Sequence, residues 1–60
     1  MTLKQWEKEM ISDMLQRTKT LAEMDANIEK MKGNLMEPSK QCIEVFQELA
    51  RLRIKRFERS

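Results

Sequence analysis

The chain's only glycine and only proline, Gly33 and Pro38, both fall in the single stretch KMKGNLMEPSKQ at 30–41. With the strong breakers confined to one place, the sequence on either side is free to run as helix, and the spacing predicts two helices joined at one turn. Thr2 with Gln5 has the T-x-x-Q form of a capping box, and Met1 and Trp6 occupy the two positions of a hydrophobic staple, so the first helix is expected from about residue 3. Leu3, Met10, Met14, Leu21, Met24, Ile28, Met31 and Leu35 then follow a heptad seam, with Glu7 and Arg17 as its polar members. Ile11, Leu15 and Ala22 widen that stripe on one flank. Thr18 and Thr20 are weak helix formers that allow a bend, yet nothing there enforces a break, and one helix over 3–32 is predicted.

Gly33 after Lys30 and Lys32 reads as a left-handed glycine ending a helix whose last turn is basic. The turn then covers 33–37, with Leu35 inside it. Pro38 suits the first position of a second helix over 38–58, with Glu37 as its N-cap. On that helix Cys42, Ile43, Phe46, Leu49, Ala50 and Phe57 share a side, Val45, Leu52 and Ile54 extend it, and Arg53 falls inside the apolar arc, where it either snorkels or pairs with a carboxylate.

The expected fold is therefore all-α, an antiparallel two-helix hairpin forming a single domain over residues 1–60. At ~1.5 Å per residue the helices would be about 45 and 30 Å long, which brings Phe57 level with Met14. Leu3, Trp6, Met10 and Ile11 would then project beyond the hairpin, and an uncovered apolar end marks a contact surface. A chain of 60 residues buries only about 60% of its unfolded surface. One cysteine and no histidine leave no intrachain disulfide and no ordinary zinc site, so dimerisation or partner binding is expected to complete a helical bundle.

The same counts argue against catalysis. There is no histidine or tyrosine for acid–base work and no glycine-rich loop to hold phosphate, so no catalytic, cofactor-binding or metal residue is assigned and the chain is read as no enzyme. Cys42, on an apolar helix face, reads as a buried structural thiol. The lone cysteine and the lack of an export leader or an apolar span fit a cytoplasmic protein. Partner-binding candidates are Trp6, Met10, Ile11 and Met14 from the overhang, with Ile43, Phe46, Leu49, Ala50, Arg53 and Phe57 from the second helix.

Net charge is +2, but the last ten residues carry Arg51, Arg53, Lys55, Arg56 and Arg59 against Glu58 alone. Cations at a helix C-terminus complement its dipole, which accounts for them without a ligand. The alternative is a dimeric hairpin that grips phosphates, although no aromatic ladder accompanies the charges. A membrane surface is disfavoured as a partner because Glu44, Glu48 and Glu58 lie on or beside the polar face.

GNLMEP at 33–38, the long helix before it and PSKQCIEVFQELA after it resemble the small co-chaperones of bacterial type III secretion needle subunits. The resemblance covers about residues 21–52 and rests on Gly33, Leu35, Glu37 and Pro38 of the turn and on Ile43, Phe46, Leu49 and Ala50 beyond it. It implies a helical hairpin that binds a helical-repeat chaperone and, with it, keeps a needle subunit soluble in the cytoplasm. The basic finish from Arg51 to Arg59 departs from that pattern.

Overall fold

The computed structural model describes residues 2–59. It is all-α, as the periodicity predicts, with three helices: α1 (Gln5–Gln16), α2 (Leu21–Lys32) and α3 (Lys40–Arg59). The single helix expected over 3–32 is divided at 17–20, and two threonines divide it. Thr18 donates its hydroxyl back to the Met14 carbonyl at 2.7 Å, a second donor to a carbonyl that also accepts the Arg17 amide at 3.0 Å at the end of α1. Thr20 is the N-cap of α2: its hydroxyl accepts from the Glu23 amide at 3.2 Å, and Glu23 Oε1 accepts from the amides of Lys19 and Thr20 at 2.9 and 3.1 Å. That is a full S/T-x-x-E capping box, a start signal that ends the preceding helix here without glycine or proline. Asn27 then donates to Thr18 Oγ1 at 2.8 Å, and both side chains are buried, so the corner is fastened to α2.

The remaining boundaries also shift. α1 is capped from Lys4, whose amide donates to Glu7 Oε1 at 2.9 Å, in place of the expected Thr2 and Gln5 box. The Met1 half of the staple lies outside the described residues. Gly33 is not left-handed, with φ −92° and ψ 4°, because α2 closes on a tightened last turn, Gly33 N–H to Glu29 O and Asn34 N–H to Met31 O. The left-handed residue is Glu37, at φ 52°, so it cannot be the expected N-cap. The turn is instead held by Asn34, which accepts the Met36 amide on Oδ1 at 2.8 Å and the Glu37 amide on its carbonyl at 2.9 Å. Ser39, not Glu37, caps α3, accepting the Cys42 amide on Oγ at 3.2 Å, and Pro38 lies before the helix.

Both short helices pack on α3. α2 and α3 form the antiparallel hairpin expected around the 33–39 turn. Glu7, in the first turn of α1, meets Ser39 at the start of α3, while Lys19, in the 17–20 segment beyond the other end of α1, lies over the Phe57 ring, so α1 and α3 run in the same direction. The core is Ile11, Met24, Met31, Cys42, Phe46, Ala50 and Ile54, with Leu3, Met10, Met14, Leu15, Ile28, Ile43 and Val45 packed around it. Two members of the expected seam are outside it, since Leu21 and Leu35 are exposed, and the heptad run ends where the helix does.

Candidate interaction surface

The break at 17–20 corrects the expected overhang. With α1 folded against α3, Ile11 is buried, Trp6, Met10 and Met14 are half-buried, and Phe57 faces Lys19 instead of coming level with Met14. On α3, Phe46 and Ala50 are wholly buried and Ile43 is half-buried against the core, so these positions serve the chain's own packing in this fold. Of the expected contact residues, Leu49, 41% exposed, and Phe57, 43% exposed, remain on the surface with the partly exposed Arg53. In the turn Gly33, Leu35 and Glu37 are exposed and Pro38 is half-buried.

The register that produces this arrangement is fixed by Glu7, a polar member of the expected seam and now only 4% exposed. Its Oε2 accepts both the amide and the hydroxyl of Ser39 at 2.9 Å, while its Oε1 takes the Lys4 amide. One carboxylate thus serves the N-terminal ends of two helices, where partial positive charge favours it. The Lys4 amide first, and then the two Ser39 groups, hold the Glu7 carboxyl below its ordinary value. Cys42 lies beneath this link, its Sγ 3.9 Å from the Glu7 carbonyl, and burial first, with the Glu7 charge second, pushes its thiol up. Burial makes the Cys42 thiol a packing group, and the upward shift works against its ionisation.

At the opposite end, Leu15 of α1 and Leu49 and Leu52 of α3 floor an open groove whose other lining residues are Arg53, Lys55, Arg56 and Arg59. Leu52 is 60% exposed. The Arg53 guanidinium lies 5.2 Å from the centroid of the Phe57 ring, a cation–π stack, and its buried Nε–H has no acceptor among the described residues. Arg53 is thus not paired with a carboxylate among the described residues; its guanidinium stacks on an aromatic ring instead. Among the described residues the one ion pair is Arg17 with Asp13 at 3.7 Å, so none of the four cations lining this groove is held in an ion pair.

Leu15 and Leu52, extensions of the stripes in the sequence, are therefore the floor residues that sequence reasoning left out of the contact set. Their signal was present as stripe width, but only the place where α1 ends reveals that they stay open. Leu35, 99% exposed, and Met36 form a second apolar spot at the 33–39 turn. The accessible surface of the chain, 4682 Å², exceeds the roughly 4,100 Å² usual for a monomer of 7.2 kDa, in keeping with these uncovered leucines. No helix among the described residues is long and apolar enough to cross a membrane, and no three of their metal-ligating side chains cluster. Searches with the sequence and the structure found no matching family model, curated protein or solved structure.

Proposed function

We propose that this chain is a protein-binding module whose contact face is the second half of α3 together with the end of α1. The observation that carries it is the pair Leu49 and Leu52, large apolar side chains that stay exposed and line one groove with Leu15, outside the cluster that forms the chain's own core. Surface leucines scattered singly need no explanation, but a contiguous apolar floor with a polar rim is the usual form of a contact site. The most concrete version, implied by the resemblance at Gly33 to Pro38 and along α3, is a cytoplasmic co-chaperone that joins a helical-repeat chaperone to keep a secretion needle subunit unpolymerised. Capture from the native cytoplasm on the tagged full chain, read by mass spectrometry, tests it. Recovery of a helical-repeat chaperone with a small polymerising subunit, lost in Leu49→Asp/Leu52→Asp, supports this version. Recovery that the double variant leaves intact refutes the proposed face.

Convergence of Arg53, Lys55, Arg56 and Arg59 on one groove favours a second reading, a nucleic-acid-binding hairpin. Steeply salt-dependent binding to RNA or DNA, indifferent to Leu49 and Leu52, would establish it instead.

A further inference from the structure

We infer that the groove between the end of α1 and the second half of α3 takes an acidic amphipathic helix, a partner segment with leucine-like residues on one face and carboxylates flanking them. This inference rests on the protein-binding reading and adds the chemistry of the partner. The floor is Leu15, Leu49 and Leu52, and the rim is Arg53, Lys55, Arg56 and Arg59, with no carboxylate among the lining residues. Apolar floor and cationic rim ask for different things from one occupant, and an amphipathic helix with acidic flanks meets both.

The groove is short as well as basic. From Leu49 to Arg59 α3 rises about 15 Å, which about three turns of a partner helix would cover. Charge argues against a second copy lying in it, because a two-fold contact through this patch would set four cations against four. It argues equally against an occupant that is basic or neutral at its flanks. A polyanion without apolar groups would satisfy the rim and leave Leu49 and Leu52 in water.

Fluorescence anisotropy on the full chain tests this with a labelled synthetic helix of about 14 residues, leucines on one face and glutamates elsewhere, and a twin carrying lysine for glutamate. The acidic peptide should bind and weaken as salt shortens the screening length, while the lysine twin should not bind. Leu52→Asp should weaken binding about tenfold, the scale expected for losing one partly buried leucine. Arg56→Glu/Arg59→Glu should also weaken it about tenfold and give the lysine twin measurable affinity, since each exposed pair is modest and reversal turns attraction into repulsion. Leu52, Arg56 and Arg59 are all exposed, so circular dichroism should show these variants folded.

Equal affinity for the two peptides would overturn the inference. So would binding of a duplex RNA oligomer that survives Leu49→Asp/Leu52→Asp, or a chain that is a dimer by sedimentation with the groove closed. If neither peptide binds while native partners are still lost in Leu49→Asp/Leu52→Asp, the acidic-helix inference fails and the protein-binding reading stands. If native partners are retained by that variant, both fail.

Discussion

Replacing Thr18 with valine keeps the shape of a fully buried side chain and removes one hydroxyl, which isolates the polar corner as a cause of the fold. Two hydrogen bonds disappear, one to the Met14 carbonyl and one from the Asn27 amide. The Met14 carbonyl still accepts from the Arg17 amide at 3.0 Å, so its loss is small. The Asn27 amide, 5% exposed, keeps no partner for that N–H, and stranding a buried donor costs about 1–3 kcal/mol. At roughly 0.05–0.15 kcal/mol per residue, 60 residues have only about 3–9 kcal/mol of stability, so the change removes a large share. With a urea m-value of about 1 kcal/mol/M, the low end for small proteins, a loss of about 2 kcal/mol moves the midpoint down by about 2 M. Urea melts followed by helical circular dichroism would show it. A second arm, Thr18→Val/Asn27→Leu, removes both polar groups and should recover much of the loss, giving a coupling energy of about 1 kcal/mol or more. A midpoint unchanged in Thr18→Val, or two changes that simply add, would refute the claim that this pair fastens the corner.

Gly33→Ala should be neutral or stabilising by about 0.4–1 kcal/mol in the same melts. Gly33 has negative φ, and an added Cβ would meet only Glu29 O at 3.6 Å, so a loss of stability would contradict the conformation described. Phe46→Ala should cost about 3–5 kcal/mol, the scale for truncating a fully buried phenylalanine, and so lower the urea midpoint by about 3 M or more or abolish the native baseline; a midpoint unchanged from the parent would show that the core lies elsewhere. Glu7 has a depressed folded pKa, so its contribution is present above its ordinary value of 4.5 and is lost as pH falls through the lower, folded value. Glu7→Gln should therefore be less stable at neutral pH and should lose less stability between pH 5 and pH 2, about the range for a bonded carboxylate; parallel stability profiles for the two proteins would exclude the Ser39 link.

How much of this was legible in the sequence depends on whether the deciding contact is local. The all-α class, the turn after Gly33, the shared apolar side of Cys42, Phe46 and Ala50 and the burial of Cys42 follow from composition and period, whereas the reading of Phe46 and Ala50 as partner contacts does not match their place in the chain's own core. The break was half-readable: Thr20-Leu21-Ala22-Glu23 is a capping box in plain sequence, but it lies within a run whose apolar spacing continues across it. What fixes the corner, Asn27 reaching Thr18, joins residues nine apart that meet only when α2 has already turned back. Gly33 shows the converse error. Basic residues followed by glycine suggest a left-handed cap, yet the turn puts its positive φ at Glu37, where Asn34 bonds organise the backbone. The candidate site moved for the same reason: once α1 separates from α2, Ile11 is buried, and the uncovered apolar area passes to Leu49 and Leu52.

That transfer follows from register and length. Glu7 ties to Ser39, so the starts of α1 and α3 are level, and from Glu7 to Gln16 α1 rises only about 14 Å. The same rise along α3 from Ser39 ends near Glu48, and the helix continues to Arg59, about three turns further. The 17–20 corner and the beginning of α2 cover part of this extension, enough to bury Ile54 and to place Lys19 over Phe57. They leave open the side of α3 toward α1, where Leu49, Leu52 and Arg56 lie. A carboxylate at one end of the molecule thus determines how much apolar surface is left at the other. Sliding α1 by one turn toward the C-terminal end of α3 would cover that side, but it would withdraw Glu7 from the Ser39 amide and hydroxyl and leave a buried carboxylate without those partners. The polar link and the open groove are therefore two consequences of one register.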